Sequence, residues 1–225
     1  WFRQYYTAVS EDWVMSSLCG IKYLLTDEPE QEYGPYYEKI AEFGSVSVFR
    51  NTMVDSIGFL TSFAVEEENL ETLSQEERSA LVRKAAVVEE LDEQSFYYVA
   101  ELPETEVQEE VPDIWDSSAQ IQMDWEDGEL KGTVTAEKAG LLILTVPLEH
   151  GWTVYVDGNK REAVAVDYGF TGIYMDAGMH EISMQYEPPM LVSGMFVSAA
   201  GMFILAGVYW TQRKRGKNGT RKQEK

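Results

Sequence analysis

Groups able to do chemistry are few in this sequence, and each sits in a context that favours structure over catalysis. One cysteine and two histidines among 225 residues are too few for a disulfide framework or a histidine-based metal site. Cys19 lies between Leu18 and Gly20. Neither histidine shares a recognisable motif with it, so a small core residue is the expectation. His180 stands in Asp176-Ala177-Gly178-Met179-His180, and His150 precedes Gly151-Trp152; both read as turn or strand-packing residues rather than general bases. Carboxylates are abundant. Glu66-Glu67-Glu68 and the Glu104–Glu110 run offer hard oxygen ligands for Ca2+ or Mg2+, but charge runs usually face water, and a solvated acidic surface is expected. Asp124–Glu129 has the acidity of a calcium loop without its twelve-residue pattern, and a hairpin turn accounts for Asp127-Gly128. Trp125, Trp152, Tyr168, Phe170 and Tyr174 could stack on sugar rings, with core packing expected for most of them. The sequence contains no glycine-rich phosphate loop, zinc motif or serine-hydrolase elbow. No catalytic, cofactor-binding or metal residue is assigned, and no cofactor is named.

The elements that would carry these groups change character along the chain. Residues 1–20 look helical at the start, with Trp13, Val14 and Leu18 on related turns and Gly20 as a stop. Ile21–Thr26 reads as a short buried strand, Glu28–Pro35 as a loop, and Tyr36–Phe43 as a helical turn or edge segment ended by Gly44. Val46–Asn51 alternates like a strand. Ser74-Gln75-Glu76-Glu77 has capping-box spacing and predicts a helix to about Glu90, with Leu81, Ala85, Val88 and Leu91 on one face. Glu101–Asp113 is an acidic connector bounded by prolines. From Ala119 the apolar period becomes two, through Ile121/Met123/Trp125, Leu142/Leu144/Val146, Trp152/Val154/Val156, Val164/Val166, Ile173/Met175 and Ile182/Met184/Tyr186. Asp127-Gly128 and Asp157-Gly158 mark turns, and the whole predicts an antiparallel sandwich. Pro188-Pro189 ends the last strand.

The formal charge of −21, from 18 basic and 39 acidic residues, excludes nucleic acid as a partner of the bulk domain, because phosphate binding needs a basic face. The apolar share of 44% excludes a wholly disordered chain. The charge is also segregated. Met190–Thr211 is a run of 22 uncharged residues, about 33 Å of helix and enough for a bilayer core. Beyond it lie seven basic residues, from Arg213, Lys214 and Arg215 to Lys225, against the single acid Glu224, leaving +6. Residues 1–189 hold 11 basic and 38 acidic residues, or −27. A Lys/Arg cluster just after an apolar span marks the cytoplasmic side, with Tyr209 and Trp210 at the inner interface. The acidic part is then extracytoplasmic, so the Asn218-Gly219-Thr220 sequon would go unused. Gly194, Ser198 and Gly201 share a helix face on which another helix could approach closely, although membrane helices also tolerate small residues without a partner. The first residue is Trp1 rather than Met, and the sequence reads as a piece of a larger protein.

Several stretches resemble one family in order. Leu18-Cys19-Gly20-Ile21-Lys22-Tyr23-Leu24-Leu25-Thr26 resembles the "LxGVKYLLT" segment of the YfhO-like bacterial membrane proteins. Val46–Asn51 with Ile57-Gly58-Phe59 resembles their "VYxYEN…LPLGF", Arg50 and Ser56 departing from the usual acid and proline neighbourhood. Pro147 through Gly151–Gly158 resembles "PYxxGWxVxVDG". Asp176–His180, Tyr186-Glu187-Pro188-Pro189 and the final span resemble "LPAGxHxIxxxYxPP" followed by a last helix. The resemblance implies a polytopic, glycosyltransferase-C-like membrane protein that adds sugars to teichoic acids from polyprenyl-phosphate-linked donors. Its catalytic acids belong to loops near the first membrane helices, so no residue here inherits a catalytic role.

The expected fold is α+β. A small α/β segment (1–62) precedes a helix plus antiparallel β-sandwich-like domain (63–189), a transmembrane helix (190–211) and a basic cytoplasmic tail (212–225). The expected function is a C-terminal extracytoplasmic accessory module and anchor in the bacterial cell membrane. Its expected partners are the lipid bilayer and upstream membrane helices of the same protein, with polyprenyl-phosphate sugar and cell-wall polymer met through the missing region. The alternative is a single-pass ectodomain that binds a glycan or protein without catalysis.

Overall fold

A computed structural model of the chain describes residues 13–28, 33, 36–54, 57–70, 73–102, 113–116, 118–167 and 169–220. It divides into two compact units, Trp1–Tyr186 and Glu187–Lys225. In the first unit, helix α1 (Trp13–Leu18) is followed by a three-stranded antiparallel sheet made of β1 (Tyr23–Thr26), β2 (Tyr37–Phe43) and β3 (Val46–Asn51), in the order β1-β3-β2. Tyr36–Phe43 is thus an edge strand and not a helical turn. The expectation that Ile21–Thr26 is buried fails: Tyr23 and Leu25 are 52% and 66% exposed, because β1 is the other edge and one face of so small a sheet stays open to water.

The remaining strands form two larger sheets. The seven-stranded sheet contains β4 (Gly58–Thr61), β5 (Phe63–Glu66), β6 (Ala86–Val88), β7 (Ala100–Glu101), β10 (Gly140–Pro147), β13 (Val164–Val166) and β14 (Phe170–Met175). Its order is β4-β10-β14-β13-β6-β5-β7, with β5 parallel to both β6 and β7 and the other pairs antiparallel. The five-stranded antiparallel sheet contains β8 (Gln120–Glu126), β9 (Glu129–Ala136), β11 (Trp152–Val156), β12 (Asn159–Arg161) and β15 (Gly178–Tyr186), in the order β12-β11-β15-β9-β8. Leu142, Leu144, Val146, Ile173 and Met175 of the first meet Leu130, Val134, Val154, Ile182 and Met184 of the second in one core. This is the expected sandwich.

Strand β10 shows how the period-two pattern hides a second core. Leu142 and Leu144 face the other sheet, whereas Leu141 and Ile143 pack with Val88, Val99 and Val166 on the opposite side. A strand buried on both faces reads as a continuous apolar run, as Leu141–Leu144 does.

The capping box forms as expected. Ser74 Oγ accepts the Glu77 N–H and the Glu77 carboxylate accepts the Ser74 N–H. Helix α2 then runs from Gln75 only to Val82, not to Glu90. Ala86–Val88 leaves the helix to pair in parallel with β5, so Leu81 and Ala85 enter one cluster and Val88 and Leu91 another. A short apolar run rich in β-branched residues cannot be told from helix by spacing alone; the ladder offered by Phe63–Glu66 decides it. We expect Ser74→Ala to cost about 1 kcal/mol, read as a lowered urea midpoint.

Both Asp-Gly turns are present with left-handed backbone at each residue, φ 51° and 83° at Asp127-Gly128 and 53° and 74° at Asp157-Gly158, the geometry of the two-residue hairpin. Gly132 serves a different need: a Cβ there would lie 1.9 Å from the Gln122 carbonyl oxygen, so its bare α-carbon is what lets β8 lie against β9.

The second unit is helix α4, Leu191–Thr220, entered through Met190 at φ 62°. Its apolar stretch Leu191–Trp210 has mean hydropathy 2.0 and none of it is buried. The helix continues past Thr211 into the basic segment, whose Gln, Arg and Lys residues are good helix formers.

Candidate functional site

The motif residues singled out in the sequence converge on architectural joints. Asn51, fully buried at the end of β3, donates from Nδ2 to Ser17 Oγ of α1 at 2.8 Å and accepts the Met53 N–H on Oδ1 at 3.0 Å. Its own N–H donates to the Lys22 carbonyl at 2.8 Å. Helix α1, the approach to β1 and the end of β3 are thus tied by one residue, its side chain holding α1 and its backbone N–H the approach to β1. Thr145 of β10 donates from Oγ1 and from its backbone to the Ile57 carbonyl, which brings the Ile57-Gly58-Phe59 stretch against the sandwich.

The second joint unites two motifs distant in sequence. Asp157 of the β11–β12 turn accepts the Glu181 N–H on Oδ1 at 2.9 Å and lies 2.7 Å from His180 Nδ1 through Oδ2. His180 Nε2 faces the Asp176 carbonyl at 3.2 Å. Both ring nitrogens are engaged, so the imidazole pins the turn to β15 and has no nitrogen left for a substrate. The His180 hydrogen bond, then the Glu181 amide, holds the Asp157 carboxyl below its ordinary value. The stabilisation it supplies is present above the unfolded carboxylate pKa and is lost as pH falls through the lower folded one. We expect Asp157→Ala to speed hydrogen exchange at the Glu181 amide, measured by mass spectrometry, with little change at the Asp127-Gly128 hairpin.

Two acids carry perturbed environments that no sequence motif announced. Asp113 is buried beside α2, with Arg83 Nη2 on Oδ2 and Lys84 Nζ 2.8 Å from Oδ1. Burial alone would raise its carboxyl, but the hydrogen bonds and charges of Lys84 and Arg83 outweigh it and hold the group low. The Arg83 guanidinium also lies 5.3 Å from the centre of the Trp13 ring. Asp167, at φ 47°, accepts the Val87 N–H on Oδ1 at 2.8 Å and returns its own N–H to the Val87 carbonyl. It extends the single pair Val166–Val88 that joins β13 to β6. Burial pushes its carboxyl up to about 7, and Oδ2 has no hydrogen-bond partner.

One cleft of about 790 Å3 opens beside helix α3 (Ser95–Tyr98). Tyr98 and Tyr174 form its aromatic wall, with ring centres 5.4 Å apart. Glu89, Glu90, Glu162 and Arg161 supply polar groups. Burial raises the Tyr174 hydroxyl above its ordinary value. Aromatic faces with carboxylates around them suit a neutral, hydroxyl-rich ligand and disfavour an anion.

The other candidates fall into place separately. Trp152, Phe170 and Tyr174 pack against the cores, as expected for most of the aromatics, whereas Trp125 is 54% exposed; Tyr168 and the Glu104–Glu110 run lie outside the described residues. Cys19 is half-buried at the end of α1. Among the described residues no cluster of three or more His, Cys, Asp or Glu could hold a metal ion. On α4, Tyr209 and Trp210 are exposed at one end of the apolar stretch. Gly194 and Ser198 are exposed and Gly201 is half-buried, with open space beside both glycines. Arg213, Lys214 and Arg215 lie on the same helix, their side chains outside the described part.

Residues 91–198 match the family model of bacterial membrane protein YfhO, a stretch that runs from the strand–helix region through the sandwich into α4. An uncharacterised protein YfhO of Bacillus subtilis (strain 168) is 24% identical over 94 residues, taking in 42% of this chain and 11% of that relative. The chain therefore corresponds to about a tenth of the relative's length. No solved structure matches it significantly.

Proposed function

From the premise that this chain is YfhO-like and belongs in a membrane, we propose that it is the C-terminal extracytoplasmic accessory module and anchor of a polytopic, glycosyltransferase-like protein. The observation that carries this reading is the continuity of the family match across the junction of domain and helix: 91–198 takes in the five-stranded sheet, the later strands of the seven-stranded one and the first turns of α4 as one stretch. A β-rich domain whose described joints are structural, followed by an apolar helix whose membrane-length stretch is unburied, suits support of a membrane core rather than chemistry. Tyr209, Trp210, Arg213, Lys214 and Arg215 anchor the inner end of the helix, and Gly194, Ser198 and Gly201 offer an upstream helix a close approach. The cell-wall polymer and the lipid-linked sugar donor meet the protein through its missing part.

Two experiments test the reading. Single cysteines placed at Lys160 and Lys217, on a Cys19→Ser background in intact cells, should react with a membrane-impermeant maleimide only at residue 160. Reaction at residue 217 alone would reverse the proposed sidedness. Deleting the gene should remove sugar from a cell-envelope polymer, and unchanged decoration would overturn the transferase assignment.

A second reading, a glycan-binding ectodomain, draws on the Tyr98–Tyr174 cleft. Neutral oligosaccharides should then perturb Tyr98 resonances at millimolar concentration; a flat titration removes this reading.

A further inference from the structure

Three aromatic rings stand together at one end of the five-stranded sheet. Trp152 is the direct cross-strand partner of Tyr186, their ring centres 4.9 Å apart, and Trp125 lies 6.0 Å from Trp152. All three continue the inward-facing series of their strands: Ile121 and Met123 before Trp125, Val154 and Val156 after Trp152, Ile182 and Met184 before Tyr186. Trp152 closes the core, while Trp125 and Tyr186 turn outward at 54% and 39% exposure. Together they form a contiguous exposed aromatic patch at this end of the sheet.

Sequence distance points to the occupant. Residues 187–190 alone separate Tyr186 from the first residue of α4. Five steps of chain reach at most roughly 17 Å even fully extended. The helix carries Tyr209 and Trp210 at one end of its apolar stretch and no Trp or Tyr at the other, from Met190 through Val208. Trp and Tyr rings favour the headgroup layer at both faces of a bilayer, where an apolar body and a polar tip are satisfied together. Around the row, Glu126, Asp127 and Glu129 resist entry into hydrocarbon and disfavour anionic lipid.

We infer that the Trp125–Trp152–Tyr186 row is a membrane-contact surface that rests among the neutral or zwitterionic headgroups of the outer leaflet, supplying the aromatic belt that α4 lacks at that end. The inference rests on the membrane reading of α4, and its test separates the two.

The full chain is placed in phosphatidylcholine nanodiscs containing a lipid with a nitroxide on its headgroup. Emission of Trp125 is taken as the difference between the wild type and Trp125→Phe, an exposed site whose replacement leaves the core alone. Emission of Trp210 is taken likewise from Trp210→Phe. The expected result is that the Trp125 component loses emission to the same extent as the Trp210 component. Quenching of Trp210 with none of Trp125 overturns the surface and leaves the anchor standing; quenching of neither overturns both. Protection of Trp125 from aqueous acrylamide by maltoheptaose, without lipid quenching, would make the row a sugar platform and likewise overturn the inference.

Discussion

Replacing Asp113 by alanine is expected to cost about 3 kcal/mol, lowering the thermal midpoint by roughly 10 °C for a domain of this size. The cost comes from what remains. Asp113 neutralises Arg83 and Lys84, whose side chains are 32% and 15% exposed, and its loss leaves two cations in a half-dry setting. Arg83 can partly turn to water, which holds the effect to the lower part of the range for broken buried pairs. The same site organises its surroundings: the Arg83 carbonyl accepts the Ile114 N–H at 2.7 Å, and Trp115 lies 5.9 Å from Trp13 and 6.1 Å from Phe59. Urea denaturation in detergent, followed by tryptophan emission, measures it. Adding Lys84→Met to Asp113→Ala should recover part of the loss; an equal or greater loss in the double variant would mean that the aromatic packing, and not the charge, is at stake.

Asp167→Asn is expected to stabilise the protein at pH 8 and to change little at pH 4. An acid that titrates near 7 when folded and near 3.8 when unfolded binds its proton more tightly in the native state. Stability is therefore full below about pH 4, falls as pH rises through about 7, and is flat above, a loss of roughly 4 kcal/mol at 1.36 kcal/mol per unit. Asparagine keeps the acceptor for the Val87 N–H and tolerates the left-handed backbone. Its amide N–H groups take the place of the protonated carboxyl's O–H, so the variant and the acid form of the wild type are close in stability at pH 4. Asparagine does not titrate, so it avoids the wild-type loss, and a gain of roughly 4 kcal/mol at pH 8 follows. Denaturation midpoints of the two proteins across pH 4 to 8 should converge at the acid end; parallel curves would show that Asp167 does not titrate in this window.

Much of the fold was legible because it rests on local rules. The capping box at Ser74 and Glu77 and the two Asp-Gly hairpins follow from short-range backbone chemistry, and the alternation from Ile121 to Tyr186 follows from the two-residue period of a strand with one face in the core. Where burial is two-sided the pattern misleads. Leu81, Ala85, Val88 and Leu91 have helical spacing, yet Ala86–Val88 is a parallel strand because Phe63–Glu66 offers it a ladder, and strands β4 and β5 themselves carry no alternation. The candidate site was less legible still. Asp157 and His180 each stood in a recognisable motif, but only the pairing of β11 with β15 places the carboxylate 2.7 Å from the ring.

What the sequence determined by itself is the segregation of charge around an uncharged span, and with it a helix long and apolar enough to cross a membrane, because bilayer thickness sets a length that 22 consecutive residues satisfy alone. What only the tertiary structure decided is which acids are special. Asp113 and Asp167 look like any of the other carboxylates in the chain until neighbouring strands and helices remove their water. Burial is a property of the assembled layers, and the energy of a charge is set by what surrounds it.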